Sequence, residues 1–406
     1  MTAITSRQRV LMALRHEEAD LVPVDLGGTR SSTGISAIVY NQLLQYLGYK
    51  GKARVFDVKQ LLAEPDERIR RFWGCDVIGL HRLRPSLGLA ITSWKDGSLM
   101  DGSSCEVPAD FNPVLLADGS EGIRNADGII TAVRPQGSYY FEEIYHPLKG
   151  ATSYSDIDQH EFPFLSAEEE NYLANKAREL YEQTDYAILG NTAVSIFEKG
   201  IKDFGYEDFL IRIYSDRELV LYYLEKLTSA YLKFLEGYLN AVGKYVQIFA
   251  FHDDLGMQNN TIISPTIYRE VFKPYHQRLF HFVKEKKSDA YIFLHSCGSV
   301  YDLIPDLIEA GVDILNPVQL SAAKMDPANL KKEYGRHITF WGGGCSTQTT
   351  LTFGSIADVE KEVVTMLRIF GRGGGYIFAQ DHNIQPGVSA EKIVAMVNAV
   401  QRNRSY

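Results

Sequence analysis

The chain has 406 residues, 45% of them hydrophobic and 23% charged, with a formal net charge of -9. That composition suits a globular protein with a sizeable core. The acidic balance, without any dense Lys/Arg run, excludes a nucleic-acid binder, because neutralising phosphates needs concentrated positive charge.

The N-terminal stretch MTAITSRQRVLMALRHEEAD predicts an amphipathic helix and lacks the apolar block of a signal peptide. No apolar run approaches the ~18 residues of a membrane span. The four cysteines, Cys75, Cys105, Cys297 and Cys345, are too sparse for a disulfide scaffold. A cytoplasmic protein is expected, in which each thiol is core filler or a working group.

Further along, a rhythm recurs. A short apolar run ends in polar or Gly residues and gives way to a longer helical pattern. Eight such runs occupy 21–28, 75–80, 186–194, 245–256, 290–300, 312–319, 338–345 and 376–384. Continuous apolar runs are what parallel strands covered on both faces require. Among the helices, Ser264-Pro265 reads as a cap followed by a first-turn proline. Pro274 predicts a kink or break, and Gly311 a C-cap. Eight strands alternating with helices predict a (β/α)8 TIM barrel, an α/β fold in which 1–406 is one domain. Between strands 2 and 3, residues 85–148 break the rhythm. SWKDGSLM, LLADGSEGI and RNADGIITAV read as hairpins. A β-rich insertion there sits over the barrel mouth, as surface decoration or as a lid and docking surface.

Chemistry in such a barrel belongs at the C-terminal ends of the strands. The polar residues collected there include Asp25 and Arg30 after the first strand, and Asn191 and Thr192 after the third. His252, Asp253 and Asp254 follow the fourth strand, His295 and Cys297 the fifth, and Asn316 and Gln319 the sixth. Cys345, Ser346 and Gln348 follow the seventh; Gln380, Asp381, His382 and Asn383 follow the eighth. His295 and Cys297 stand at i and i+2, so on a strand they point the same way, and Gly298 lets the chain turn off at once. Imidazole and thiolate are preferred Zn2+ ligands. A third ligand must come from a neighbouring strand end, with His382 and Cys345 as candidates. Of the adjacent acids Asp253 and Asp254, at most one can face the barrel axis. Either can serve in proton transfer, pairing with a cation or metal ligation, or as a structural cap. Gly342–344 and Gly373–375 fit neither nucleotide-binding pattern and read as turns and as places where backbone approaches a ligand closely.

These segments together resemble the uroporphyrinogen decarboxylase superfamily, a (β/α)8 family that includes zinc-dependent methyltransferases working with corrinoid proteins. The resemblance is carried by SRQRVLMALRHEEADLVPVDLGG, IFAFHDDLGMQ, ISPTIYREVFKPYHQRL, HSCGSVYDLIPDLIEAGVDILNPVQ, WGGGCSTQTTL and GRGGGYIFAQDHNIQPGVSAEKIVAMVNAV. It covers nearly the whole chain apart from the insertion. His295-Ser-Cys-Gly298 matches the methyltransferase branch, whose third zinc ligand, a Cys after the eighth strand, falls here on His382, with Cys345 in reserve. The resemblance implies zinc held by His295, Cys297 and His382. Asp253, Asp254, Arg30 and Asn191 are expected to be catalytic, and Gln319, Gln348 and Asp381 to contact the cofactor. The implied partners are a small methyl donor or acceptor and a corrinoid protein, and a homodimer is common in the superfamily. The alternative is a metal-free decarboxylase of tetrapyrrole metabolism. That branch carries an arginine-bearing segment after its first strand, where VDLGGTRSSTG here supplies only Arg30. A non-catalytic corrinoid- or tetrapyrrole-binding barrel is the third reading.

Overall fold

The computed structural model describes residues 4–406; the first three residues of the expected N-terminal segment lie outside that range. Seven strands form one parallel sheet: β1 Val77–Leu80, β2 Ala187–Val194, β3 Ile248–His252, β4 Tyr291–His295, β5 Ile314–Asn316, β6 Thr339–Trp341 and β7 Tyr376–Ile377. Neighbours in space follow chain order, with helices between strands, so the sheet curls into a TIM-barrel-like α/β fold.

The first apolar run departs from the expected regular strand. Its extended backbone nonetheless lies between the two edge strands. Asp25 N–H donates to Phe378 O (2.9 Å), Phe378 N–H donates to Pro23 O (2.8 Å), and Asp76 N–H donates to Val24 O (2.7 Å). Pro23 has no N–H to give a ladder, and Gly27 at φ 78° turns the chain away at once.

Strand alternation divides the core in two. Ala187, Leu189, Ile248, Ala250, Phe293, Ile314, Trp341 and Ile377 point inward and form a cluster of their own. Ile188, Phe249, Phe251, Ile292 and Leu294 point outward and join the larger cluster under the helices. The inward cluster also takes Val10, Ala13 and Leu14 from the helix Ser6–Leu14. A capping box of Thr5 and Gln8 starts that helix, and the buried pair Arg9–Asp76 (2.5 Å) ties it to the strand floor. Phe293 meets Trp341 edge-on at 5.3 Å, a geometry worth about 0.5–1.5 kcal/mol beyond the area it buries. The floor of the barrel is thus closed and apolar, and polar residues begin only one pleat higher.

Antiparallel strands fill much of the chain between β1 and β2. Trp94–Ser98 and Ser104–Pro108 pair, as do Val114–Leu115, Glu121–Arg124, Ile130–Arg134 and Glu142–Glu143 in a second sheet. Asp118-Gly119 and Asp127-Gly128 lie at the turns, whereas Asp96-Gly97 lies inside a strand and its turn comes at Gly102. The first of these sheets also draws Ala53–Asp57 and Leu62–Ala63 from ahead of residue 85. Around Pro274, the break takes the form of a π-helical turn, Tyr268–Phe272, before Lys273–Lys286 resumes the α-helix. Among the described residues, no helix is long and apolar enough to cross a membrane.

Candidate functional site

The pleat that buries Ile248 and Ala250 must also turn His252 inward, and the one that buries Phe293 turns His295 inward. Both line a cavity of about 460 Å³ with Arg30, Glu198 and Asp254. The loops after β3 and β4 are joined residue by residue. Asp253 N–H donates to His295 O (2.9 Å), and Ser299 N–H donates to Met257 O (2.7 Å). Leu255 N–H donates to Ser296 Oγ (3.0 Å), and Cys297 N–H to Asp254 Oδ1 (2.8 Å). So close an approach needs glycine on both sides. Gly298 has φ 82°, and a Cβ there would lie 2.5 Å from the Gly256 carbonyl carbon.

The result is a compact donor set. Cys297 Sγ lies 3.4 Å from His295 Nε2, which lies 3.5 Å from Asp254 Oδ1. One ligand atom each from Asp254, His295 and Cys297 falls within 4.8 Å of the others. Thiolate, imidazole and carboxylate are the donors Zn2+ takes. Burial and then the Asp254 charge push the Cys297 thiol well above its ordinary range. Burial likewise raises Asp254, against the opposing pull of His295.

His295 is held from behind. Its Nδ1 lies 2.8 Å from Asn316 Oδ1, which also accepts from Ser32 Oγ at 2.6 Å, while Asn316 Nδ2 donates to Trp341 O at 2.9 Å. With the amide orientation set by Trp341, Nδ1 must carry the proton, and Nε2 presents its lone pair to the donor set. These contacts fit a bound metal.

Asp253 faces away from the cavity, fully buried. It accepts from the Ile196 and Glu198 N–H groups (both 2.8 Å) and lies 2.8 Å from His276 Nε2. Arg30 lines the cavity while donating from Nε to buried Asp57 (2.9 Å) and from Nη1 to Pro85 O (2.7 Å). Asn191 is buried, with Nδ2 on Gly28 O (3.1 Å) and Oδ1 without a partner. Gln319 accepts from Gly298 N–H (2.9 Å) and reaches exposed Gln348 at 3.3 Å. Asp381 accepts from the Thr347 N–H and hydroxyl, both at 2.7 Å, and burial raises it to about 6. His382 lies outside the three-donor group; burial lowers it to about 4, with a further push from His295. Cys345 is turned elsewhere, its Sγ 3.3 Å from Glu362 Oε2.

Three contributors escaped the sequence reading. Ser31 Oγ lies 2.7 Å from His252 Nδ1, and Glu198 accepts from Asp254 N–H at 3.2 Å. Ser32 supports Asn316. His81, directly after β1, was also passed over; its ring lies tilted against Phe56 with centroids 4.3 Å apart, and burial lowers it to about 3. For His81 the signal was present: like His295, it closes an apolar run.

A family model described as uroporphyrinogen decarboxylase (URO-D) matches residues 144–403. The uroporphyrinogen decarboxylase of Pelobacter propionicus is 27% identical over 204 residues, which is 50% of this chain and 54% of that protein. A Geobacter uroporphyrinogen decarboxylase is 26% identical over 207 residues, with the same shares. The chain thus spans about half the length of the curated relatives it matches. Among solved structures, a methyltransferase from Methanosarcina mazei superposes with a TM-score of 0.62 at 16% identity, covering 98% of this chain and 99% of that one; at this identity the likeness establishes the fold. The family match takes in more than half of the chain, and Asp254, His295, Cys297 and His382 all fall inside it, so the chain belongs to the uroporphyrinogen decarboxylase (URO-D) family.

Proposed function

We propose that the chain is a cytoplasmic zinc-dependent methyltransferase that moves a methyl group between a small donor or acceptor and a corrinoid carried by a partner protein. The observation that supports this most directly is the convergence of Asp254, His295 and Cys297 within 4.8 Å. His295 and Cys297 would hold the metal, with Asp254 the best-placed third donor and His382 the remaining candidate. Zinc, when bound, supplies Lewis acidity toward a thiol or an ether oxygen. Asn316 keeps His295 Nε2 available, and the apolar floor below β3, β4 and β6 keeps water from entering from beneath.

Arg30 and His252 are proposed to orient the substrate, Asn191 to shape the wall, and Asp253 to hold the strand end in register. Gln319, Gln348 and Asp381 remain the proposed corrinoid contacts. Residues 85–148 are proposed to act as an insertion on the one barrel domain, covering the mouth where the partner docks. Protein purified without added metal is expected to carry about one equivalent of zinc, and a His295→Ala/Cys297→Ala variant none. Zinc-free wild-type protein, or a fully loaded double variant, overturns this reading.

The names of the curated relatives favour a second reading, a metal-free decarboxylase in tetrapyrrole metabolism. Arg30 is the cation it would rely on, and Arg30 is already engaged by Asp57 and Pro85. Anaerobic incubation with uroporphyrinogen decides: a product with fewer carboxylates supports this reading, and unchanged substrate removes it.

A further inference from the structure

Two lysines from separate elements meet at the cavity wall. Lys59 follows the strand Ala53–Asp57, and Lys202 belongs to the helix Phe197–Phe204. Both line the cavity, and both point to one carboxylate: Glu143 bonds Lys59 and lies 3.9 Å from Lys202. Glu143 belongs to neither element. It comes from the two-residue edge strand Glu142–Glu143 of the second antiparallel sheet.

The neighbouring acids are already committed or more distant. Asp57 takes Arg30, and Glu198 stands 4.0 Å from Lys202. Burial works to raise the Glu143 carboxyl, yet Lys202, Lys59 and Arg30 override it and hold it down to about 2. Two lysines therefore converge on one carboxylate beside a substrate-sized space.

That carboxylate sits on a short edge strand that pairs with Ile130–Arg134 on one side only. Phe141 N–H donates to Lys59 O (2.9 Å) and Leu148 N–H to Asp203 O (2.8 Å). Between these two points, Ile144 N–H donates to Thr131 O (2.9 Å) and His146 Nδ1 lies 2.8 Å from Lys202 O, while the side chains of Ile144 and Tyr145 are 50% and 45% exposed. A sheet edge with exposed side chains between two anchored ends opens at lower free energy than the core.

We propose that Lys59 and Lys202 form a subsite for the acid group of an organic anion, and that Glu143 occupies it as an internal placeholder. Ligand entry then exchanges one carboxylate for another and releases the strap 140–148. This deepens the reading of the cavity as the reaction site by naming a ligand class, and it does not depend on the metal.

The test uses succinate as probe and neutral succinamide as control, with wild type, Glu143→Gln and Lys202→Met. Glu143→Gln is expected to bind succinate about tenfold more tightly than wild type, because the competing internal group is gone. Lys202→Met is expected to bind it several-fold more weakly, roughly the loss of one partly exposed charge contact. Succinamide should not separate the three proteins. In wild type, succinate should speed amide exchange over 140–148. Equal succinate affinity in wild type and Glu143→Gln, or exchange over the strap that succinate leaves unchanged, overturns the proposal. Zinc content read on the same samples shows a failure of the metal reading separately.

Discussion

Thiols close two of the inner strands, and the two ends behave differently. After β4, Cys297 stays on the same side as His295 and joins Asp254. After β6, Cys345 turns away to Glu362 on the helix Ile356–Phe370. The cause lies in the backbone between strand and thiol. Only one residue separates His295 from Cys297, and the left-handed glycine comes afterwards, at 298, so the pleat still governs direction. Three glycines separate Trp341 from Cys345, with φ 108° at Gly342 and 64° at Gly343, and the alternation is lost before the thiol is reached. A cysteine near a strand end is therefore a ligand candidate only while the extended backbone persists up to it.

The widest way to break this contrast is to remove each thiol. Cys297→Ala should lower zinc affinity by about a thousandfold or more, while Cys345→Ala should leave it unchanged, as measured by chelator competition. Equal losses from both would show that the two ends are not distinct. The next contrast is between adjacent acids. Asp254→Asn should weaken zinc binding by up to about a hundredfold with little change in melting temperature. Asp253→Asn should do the reverse, destabilising the fold by about 3 kcal/mol, because a buried carboxylate with three hydrogen-bonding contacts is replaced. Thermal melts and zinc titrations on the pair check both halves.

How far the sequence reading reached follows from the same distinction between local and long-range causes. Seven of the eight apolar runs contain strands of the parallel sheet, because a run buried on both faces is a local signal. The convergence of His295 with Cys297 was legible for the same reason. That Asp254 rather than His382 completes the close group was not. It depends on the bonds joining the loops after β3 and β4, which come from distant parts of the chain. Strand β7 has only two residues, so its pleat says nothing about a side chain five positions later. The strand Ala53–Asp57 escaped because its pairing with Ser104–Pro108 is equally non-local.

Beneath the donor set, Asp25 gives a prediction about pH. It accepts from Trp341 Nε1–H at 3.0 Å and from Gly28 N–H at 2.9 Å, yet burial raises it to about 6. A raised carboxyl means the folded state keeps its proton where the unfolded chain has lost it. Its contribution is therefore complete below the ordinary value of 3.8 and is lost as pH rises through about 6. Asp25→Asn has no such proton, so the stability difference should move toward the variant by about 2–3 kcal/mol between pH 4 and 7. Denaturant unfolding of both proteins across that range measures it; parallel curves would show that Asp25 ionises as it does in the unfolded chain.

The smallest effect is expected at Asn316, and it asks whether the donor set needs its support. Asn316 Oδ1 takes the proton on His295 Nδ1, which leaves Nε2 as the ligand atom. Without that acceptor the ring is free to change tautomer and rotate, and the donor set is complete only part of the time. Outer partners of this kind are worth 10- to 100-fold in metal affinity, and the lower end fits a site that also has a thiolate. Asn316→Ala should therefore weaken zinc binding by about tenfold. It should also lower stability by about 1 kcal/mol, since the Trp341 carbonyl loses its donor. Asn316→Asp restores an acceptor for Nδ1 but no donor for Trp341, so it should recover zinc affinity while keeping the stability loss. A purely structural Asn316 would give the two variants the same zinc affinity, and that equality would remove the argument for its role.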